Sequence, residues 1–262
     1  MTNAVILSAG QGKRLAPLTD MRPKCLVKVG GQPVLYWQLR ALAAAGIEDV
    51  TIVTGFGAEM VETAVRTMDL PRLPECLYNP FYAVADNIGS CWMARERFGS
   101  DTVLLNGDTV IDPRILRRVL ADAEAPITVT IDQKPGYDDD DMKIRRDGRR
   151  LTAIGKTLSA PVDGESIGLL RFLGDGGERF VAAMRAVLAD QAALKRWYLS
   201  IIDQIAQTGA VGVVEIAGLP WTEIDFPRDL PIAESRVTHF DWSGAQTGTG
   251  LAASIGAPQG GA

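Results

Sequence analysis

Strand-like apolar segments alternate with segments of helical period through the first half of the chain. VILSA, VTIVTG and TVLLNGD each precede a longer segment: PVLYWQLRALAAAG, AEMVETAVRTM and PRILRRVLADA, respectively. Such alternation is typical of βαβ units, in which the strands lie parallel and the helices cover the sheet. Because the pattern repeats three times, it predicts an α/β fold with a mostly parallel sheet.

The first helical segment has a well-defined apolar face. Leu35, Leu39, Leu42 and Ala43 follow the i, i+4, i+7, i+8 spacing that places side chains on one side of a helix. Gly46 comes just after this run, where glycine commonly ends a helix. We therefore expect a helix that packs on the sheet and ends near Gly46.

The pattern changes in the second half of the chain. ITVTIDQ and MKIRRDGRRLTAIGK read as antiparallel strands, with Asp147-Gly148 as a hairpin turn, so we expect a mixed edge on the sheet. Further on, the sequence predicts helices over residues 180–188 and 194–208 and a strand at VGVVEIAG. In WTEIDFPRDLPIAE we expect the end of a strand and then a proline-started helix.

The length of 262 residues suits one domain with elaborations. We expect a single domain over residues 1–242 and a flexible tail, rich in Gly and Ala and without a catalytic role, over residues 243–262. No stretch approaches the ~20 apolar residues of a membrane span, and the N-terminus lacks the features of a secretory signal. The sequence therefore predicts a soluble, cytoplasmic protein that does not bind membranes.

Composition restricts the chemistry. A formal charge of -5 argues against a nucleic-acid groove, because phosphate backbones require a dominant basic face. His239 is the one histidine, which excludes a metal site built from several histidines. Cys25, Cys76 and Cys91 are irregularly spaced, which fits neither a disulfide framework nor a CxxC metal pair, so we expect buried thiols. Carboxylates, lysines and arginines must carry any reaction. Whether the chain forms a homodimer stays open.

A glycine loop with basic residues follows the first strand. The segment reads S-A-G-Q-G-K-R-L-A-P-L-T and continues to R-P-K-C-L, which brings Gly10, Gly12, Arg14 and Lys24 into one stretch. Backbone N–H groups of a glycine turn can point at anionic oxygens, so the segment predicts a phosphate site. Leu15 occupies the place of the third glycine in a dinucleotide fingerprint, and the P-loop spacing is absent. Both of those common phosphate sites are therefore excluded.

The extended pattern closely resembles the signature of the nucleotidyltransferases that activate sugar 1-phosphates and small phosphorylated alcohols. The resemblance implies a Rossmann-like three-layer α/β/α fold. It implies that the loop with Leu7, Ala9, Gly10 and Gly12 wraps the base and phosphates of a nucleoside triphosphate. By the same resemblance, Arg14 holds the β and γ phosphates, and Lys24 contacts the attacking phosphate and the transferred α-phosphate.

Two aspartates are candidates for a Mg²⁺ site. Asp108 ends the strand TVLLNGD, at the edge where open α/β sheets bind ligands, and Asp225 follows a second strand. The resemblance assigns the metal to the same two positions. Glu223, which precedes Asp225 in the same segment, is the substitute candidate for it. The acidic run of residues 138–141 is typical of a solvated turn, because four adjacent carboxylates cannot all face one ion.

A later segment resembles the cytidylyltransferases that act on phosphocholine and related small phosphates. NPFYAVADNIGSCWMARERF places Asn87 and Ser90 at the start of a short helix, and the resemblance implies nucleotide contacts there and favours CTP. On the acceptor side, we expect Lys156 to meet a phosphate and Glu165 to accept a hydrogen bond or pair with a cationic head group. Tyr198 and Trp197 are expected to form a wall of the acceptor pocket.

The resemblance therefore predicts a Mg²⁺-dependent transferase. It would move CMP from CTP to a small phosphorylated or phosphonate acceptor, such as a phosphocholine-like or aminoalkylphosphonate compound, and release pyrophosphate. A transferase for sugar 1-phosphates or polyol phosphates that uses CTP, UTP or dTTP stays open. A glycosyltransferase on a similar sheet would need a DxD motif at a strand end, and N-G-D-T-V is not one. A non-catalytic nucleotide-binding regulator would lack the basic or acidic residues that are present here.

Overall fold

The computed structural model describes residues 1–243 and contains thirteen strands and seven α-helices within that range. The strands are β1 Asn3–Ser8, β2 Lys28–Val29, β3 Gln32–Pro33, β4 Asp49–Thr54, β5 Glu75–Tyr78, β6 Asp101–Asn106, β7 Thr109–Ile111, β8 Ile127–Asp132, β9 Lys143–Asp147, β10 Arg150–Gly155, β11 Gly164–Leu173, β12 Val211–Glu215 and β13 Trp221–Glu223. The helices are α1 Val34–Ala44, α2 Ala58–Arg66, α3 Asn87–Met93, α4 Pro113–Asp122, α5 Gly176–Val187, α6 Leu199–Ala206 and α7 Asp229–Val237.

Nine of the strands form one mixed sheet in the order β5-β4-β1-β6-β11-β8-β12-β10-β9. The pairings β5–β4, β4–β1, β1–β6 and β8–β12 are parallel. Strands β10 and β11 run against their neighbours, so seven strands share one direction and two oppose it. The predicted α/β fold with a mostly parallel, mixed sheet is confirmed.

Helices cover both faces of this sheet. On one face, α3, α5 and α6 pack through buried side chains that include Ile88, Phe180 and Ile202. On the other face, α1, α2 and α4 do the same through residues such as Leu39 and Val61. Burial of these apolar stripes on the sheet produces the expected three-layer α/β/α arrangement.

The register of the central strands determines where the chain can hold a ligand. Strands β1 and β6 are parallel neighbours, with Leu7 opposite Asn106. The loop that follows each strand therefore begins at the same edge of the sheet. This geometry brings the glycine loop after β1 beside Gly107 and Asp108, in the crevice where open α/β sheets bind ligands.

The predicted hairpin and first helix are present. Asp147 pairs with Arg150 across a two-residue turn, and Gly148 takes a φ of 59° there. Helix α1 buries Leu35, Leu39 and Leu42, and it is followed by Gly46 with a φ of 79°. Both positive φ values belong to the left-handed region, which glycine adopts without the strain of a Cβ.

The helix predicted over residues 194–208 begins later than expected. Residues Gln191–Lys195 form a short 3-10 helix, Arg196 is extended, and α6 starts at Leu199. The backbone N–H of Tyr198 donates to the side chain of Asn87, so it does not take part in a helical hydrogen bond. A tertiary contact therefore overrides the local helical period at this point.

Other expectations concern the cysteines, the tail and membranes. Cys25 and Cys91 are buried and Cys76 is half-buried, and all three are free thiols. None of the helices between residues 1 and 243 has the length and apolar character needed to cross a membrane. Apart from Ser243, the predicted flexible tail lies outside the residues that the structure describes.

Candidate active site

The glycine loop is fixed by hydrogen bonds at its turn and by one buried anchor. Gly12 has a φ of 80°, and its carbonyl accepts from the N–H of Leu15 at 2.9 Å and from the hydroxyl of Thr19 at 2.7 Å. The side chain of Leu15 is completely buried in a cluster with Val27 and Val34. The conformation of the loop is thus stabilised by its internal hydrogen bonds and by the burial of Leu15.

Gly12 also makes room for Lys24. A Cβ atom at position 12 would lie 2.7 Å from the Cβ of Lys24, which is closer than real side chains approach. A Cβ at Gly10, in contrast, would meet no protein atom within 4 Å. The two glycines of the motif therefore have different tasks, since Gly12 allows close packing and Gly10 keeps open space.

Three carboxylates converge beside this loop from a small antiparallel ribbon. Strand β7 pairs with β13, with Thr109 opposite Glu223, and the N–H of Ile224 donates to the carbonyl of Asp108 at 3.1 Å. This pairing places Asp108, Glu223 and Asp225 together, with one oxygen of each within 4.8 Å of the others. The carboxylate of Asp229, at the start of α7, accepts a hydrogen bond from the N–H of Asp225 at 2.8 Å and so fixes the backbone at Asp225.

Lys24 binds two of these acids. Its Nζ lies 2.8 Å from Oδ2 of Asp108 and 2.5 Å from Oδ1 of Asp225. Burial alone would lower the pKa of Lys24, but attraction and hydrogen bonds from the two carboxylates outweigh this effect, so its pKa is raised. The ammonium group is therefore charged at neutral pH.

The third acid, Glu223, has a strongly raised pKa. The Glu223 side chain is open to solvent on one side, yet the protein around its carboxylate and the charges of Asp108 and Asp225 raise the pKa of Glu223 to about 8. Carboxylates that repel one another and converge on one point are a donor set that a divalent cation would stabilise. Oxygen ligands are those that Mg²⁺ prefers, so Asp108, Glu223 and Asp225 fit a Mg²⁺ site.

Arg14 extends the basic side of the site. Its Nη2 lies 2.6 Å from Oδ2 of Asp225, and its guanidinium stacks 5.0 Å from the ring centroid of Phe226. Its Nη1 lies 3.3 Å from Asp140, whose other carboxylate oxygen is 3.3 Å from the Nζ of Lys156. Asp140 thus bridges two cations that were predicted to serve opposite substrates.

A cavity of about 300 Å³ adjoins the carboxylates at Asp108. Five of the six residues predicted to contact the nucleotide line it: Leu7, Ala9, Gly10, Asn87 and Ser90. Gly12 is not among the lining residues, because it faces Lys24. The structure therefore brings the predicted donor-side residues together next to the predicted metal ligands.

The two polar residues of α3 differ in availability. Asn87 is half-buried, and its Oδ1 accepts from the N–H of Tyr198 at 2.8 Å. Ser90 is 5% exposed, and its hydroxyl accepts from the side chain of Asn79 at 3.1 Å. Each therefore keeps one hydrogen-bonding group engaged by the protein and presents the remainder to the cavity.

On the predicted acceptor side, the lysine and the glutamate have protein partners. The Nζ of Lys156 lies 4.6 Å from the ring centroid of Trp197, whose side chain is 40% exposed. Glu165 is 5% exposed and lies 3.0 Å from the Nζ of Lys134. Burial is the main reason that the pKa of Glu165 is raised to about 7, with Lys134 opposing and Asp141 adding to the shift.

The prediction that Tyr198 forms a wall of an open acceptor pocket is wrong. Its side chain is completely buried, and its hydroxyl donates to Oδ1 of Asn106 at 3.0 Å. Its ring packs against Phe180 in the core between α3, α5 and α6. The apolar side chains around it explain the burial, since an aromatic ring at the start of an amphipathic helix can face the core.

The acidic run also departs from a freely solvated turn. Asp138, Asp139 and Asp140 are exposed, but Asp140 pairs with Arg14 and Lys156, and Asp141 lies 2.8 Å from the Nζ of Lys134. The side chains of Asp138 and Asp141 also accept backbone N–H groups within the run. The segment is therefore an ordered loop at the rim of the site.

Several lining residues of the cavity were not predicted: Tyr82, Ala85, Asp86, Asn106 and Gly107. Asn106 is the last residue of β6, two positions before Asp108, and its place at a strand end is the signal that could have found it. Asp86 accepts from the N–H of Asn87 at the start of α3, and burial raises its pKa. Tyr82 and Ala85 carry no signal in the sequence alone.

Comparison with known proteins places the chain among enzymes of one family. The family model described as nucleotidyl transferase matches residues 3–140. A CMP-5'-(3-aminopropyl)phosphonate synthase of Streptomyces rubellomurinus is 31% identical in an alignment 248 residues long that covers 89% of this chain and 38% of that protein. A bifunctional IPC transferase and DIPP synthase of Rubrobacter xylanophilus is 32% identical in an alignment 246 residues long that covers 92% of this chain and 53% of that protein. The chain thus spans about two fifths to one half of the length of these two relatives.

A solved structure shares the fold. The CTP:phosphocholine cytidylyltransferase LicC of Streptococcus pneumoniae superposes with a TM-score of 0.76, over 90% of this chain and 99% of that chain. The sequence identity is 21%, so this likeness supports the fold alone.

Proposed function

Because the chain belongs to the nucleotidyl transferase family, we propose that it is a Mg²⁺-dependent cytidylyltransferase. In this proposal it transfers CMP from CTP to a small phosphorylated or phosphonate acceptor and releases pyrophosphate. The single observation that carries the proposal is the position of the Lys24 ammonium between Asp108 and Asp225, next to the cavity that the glycine loop and α3 enclose.

The chemistry of the transfer matches these residues. The nucleophile is an ionised phosphate or phosphonate oxygen, so in-line attack on the α-phosphorus of the nucleotide has little need of a general base. The bond to the pyrophosphate oxygen breaks as the new bond forms, and negative charge builds on the leaving group. Lys24 and Arg14 are fixed cations that would neutralise the approaching anions and the departing pyrophosphate.

The acids would hold the metal. Asp108 and Asp225 are the proposed Mg²⁺ ligands, with Glu223 completing the set of carboxylates within reach of one ion. When bound, Mg²⁺ would supply further positive charge to the phosphates of the nucleotide. Lys24 would then exchange its carboxylate partners for phosphate oxygens, since the same acids cannot saturate both cations.

The acceptor class rests on the relatives and on the rim of the site. The relative from S. rubellomurinus is a CMP-5'-(3-aminopropyl)phosphonate synthase, which points to CTP as donor and to a phosphonate as acceptor. Lys156 is a half-buried cation at the rim of the site, with its Nζ 4.6 Å from the Trp197 ring centroid, and it would meet the acceptor phosphate or phosphonate. We therefore rank phosphonates and small alcohol phosphates above sugar 1-phosphates as acceptors.

The test is a matrix of donors and acceptors. The purified chain is incubated with Mg²⁺, each of the four common nucleoside triphosphates, and an acceptor panel of aminoalkylphosphonates, phosphocholine, polyol phosphates and sugar 1-phosphates. Pyrophosphate release and product mass are measured. We expect release with CTP and a phosphonate or small alcohol phosphate, and none after the metal is removed with a chelator. Absence of release with every pair would contradict the proposal.

A further inference from the structure

Tyr198 connects the two walls of the nucleotide cavity. It directly precedes α6, and its side chain is completely buried beneath the cavity rather than beside it. One wall of the cavity is the start of α3, which carries Asn87, and the other is the end of β6, which carries Asn106. Both asparagines are lining residues, and both accept a hydrogen bond from Tyr198.

The two hydrogen bonds use different parts of the tyrosine. Its backbone N–H donates to Oδ1 of Asn87 at 2.8 Å, and its hydroxyl donates to Oδ1 of Asn106 at 3.0 Å. A backbone N–H can only donate, so the orientation of the Asn87 carboxamide follows directly from this contact. One residue thus contacts the carboxamides of both walls, through a backbone N–H on one side and a hydroxyl on the other.

Asn106 is restrained from its other side as well. Its backbone carbonyl accepts from Nε2 of Gln38 at 2.7 Å, and Gln38 is completely buried. Its side chain packs directly on residue 168, which must be glycine there, because a Cβ at that position would lie 2.5 Å from Nδ2 of Asn106. The asparagine therefore has little freedom to turn once the Tyr198 hydroxyl holds its oxygen.

These contacts leave the amide nitrogens for a ligand. Within residues 1–243, the structure gives no protein hydrogen-bond acceptor to Nδ2 of Asn87 or to Nδ2 of Asn106. We propose that Tyr198 is a positioning residue that orients both carboxamides so that their N–H groups serve the bound nucleotide. This inference rests on the proposed function, because it assigns the cavity to the nucleoside triphosphate.

The two asparagines predict which kind of nucleotide group they contact. Each carboxamide then presents its N–H groups to the cavity, and these suit groups that accept hydrogen bonds, such as a base carbonyl, an unprotonated ring nitrogen or a ribose oxygen. A carboxamide that is free to flip would present its oxygen part of the time, and an acceptor group would then face another acceptor. Fixing the orientation removes that mismatch and its cost.

The experiment removes only the hydroxyl. Tyr198→Phe keeps the ring and the backbone N–H to Asn87, and Asn106→Ala removes the partner of the hydroxyl. The two variants, the double variant and the parent are compared by calorimetric CTP binding in Mg²⁺, by KM for each substrate, and by thermal unfolding. Tyr36→Phe is the control, because Tyr36 is a half-buried tyrosine of α1 that does not line the cavity.

We expect Tyr198→Phe to weaken CTP binding about five- to tenfold, which corresponds to the loss of one hydrogen bond to a ligand group. The KM for the acceptor should change less than twofold, and Tyr36→Phe should bind CTP like the parent. In the Asn106→Ala background the loss of the Tyr198 hydroxyl should have no further effect, because it acts through Asn106.

Three results would overturn the inference. CTP binding by Tyr198→Phe that equals the parent would show that the hydroxyl does not position Asn106 for the nucleotide. Additive losses in the double variant would show that the hydroxyl acts independently of Asn106, and unfolding of Tyr198→Phe would make it a core anchor instead. A parent chain that binds no nucleoside triphosphate would overturn the proposed function as well, so the two failures are distinguishable.

Discussion

The Nζ of Lys24 lies 2.5 Å from Oδ1 of Asp225, although 201 residues separate them along the chain. The same nitrogen lies 2.8 Å from Asp108, so one cation joins the loop after β1 to both strands of the β7–β13 ribbon at the end where Thr109 pairs with Glu223. The proposed phosphate-binding and metal-binding groups are therefore already in contact. Binding of Mg²⁺ and CTP would exchange these internal partners for external ones.

Replacing this lysine tests its assignment. Lys24→Met keeps the length of the side chain but removes the charge, so we expect kcat to fall by about 10³-fold, as for other fixed charges that stabilise a transition state. Lys28→Met is the matched control, since Lys28 is exposed on β2 and takes no part in the site. Steady-state kinetics and thermal unfolding are measured together. Turnover by Lys24→Met within a few-fold of the parent would remove Lys24 from the mechanism.

The two glycines of the motif should respond differently to a methyl group. Gly12→Ala must accept a φ of 80° and a contact of 2.7 Å with Lys24, so we expect a loss of about 1 to 3 kcal/mol in the free energy of unfolding. Gly10→Ala meets no protein atom within 4 Å and should unfold like the parent, while its methyl group enters the cavity and weakens CTP binding. Urea unfolding and CTP titrations check both. Equal stability of the two variants would contradict this division of tasks.

Asp140 should compete with the substrates. Its carboxylate lies 3.3 Å from both Arg14 and Lys156, the cations proposed for the triphosphate and for the acceptor. Exposed ion pairs contribute only about 0 to 1 kcal/mol, so Asp140→Asn should lower KM for both substrates by about two- to threefold, and less at high salt. Asp139→Asn, an exposed neighbour, is the control. A rise in either KM would mean that Asp140 assists binding.

The stability of the chain should depend on pH through Glu165. Its pKa is raised from 4.5 to about 7, chiefly by burial. Between these two pH values the unfolded chain has lost the proton and the folded chain retains it, so stability falls as pH rises through this window and is constant above it. The contribution is on the order of 3 kcal/mol. Below pH 4.5 both states are protonated and the contribution is fully present.

The measurement is urea unfolding at pH 5 and pH 8 for the parent and for Glu165→Gln, which cannot ionise. We expect the parent to lose stability relative to Glu165→Gln at the higher pH. Glu178→Gln, at an exposed position of α5, should follow the pH dependence of the parent. A constant difference between parent and Glu165→Gln at the two pH values would show that Glu165 does not titrate in this range.

The sequence was informative wherever local pattern determines structure. The alternation of strands and helices predicted the layers, because each segment carries its own apolar period. The loop from Gly10 to Lys24 could be read as one unit because its residues lie close together in the chain. Asp108 was found from its place at a strand end, since parallel strands β1 and β6 deliver their loops to the same edge.

The remaining features depend on contacts between distant segments. The start of α6 follows from the hydrogen bond of the Tyr198 N–H to Asn87, 111 residues away, and the buried hydroxyl of Tyr198 has its partner in Asn106, 92 residues away along the chain. The partnership of Asp140 with Arg14 spans 126 residues. The residue pattern of a short segment carries no information about pairs so far apart in the chain. The sequence could therefore predict the glycine loop, but not the contacts of Tyr198 below the cavity or those of Asp140 at its rim.

The β7–β13 ribbon has an evolutionary consequence. Its two strands bracket the part of the chain that contains β8 to β12, and the N–H of Asp112 donates to the carbonyl of Pro220 where that part leaves and returns. The register of the ribbon, rather than the length of the intervening chain, places Asp108 against Glu223 and Asp225. Because β11 in this part pairs with β6, the loops between its elements, rather than its strands, can change in length without moving the carboxylates. A lineage could acquire a new acceptor and inherit the three carboxylates of the proposed metal site unchanged.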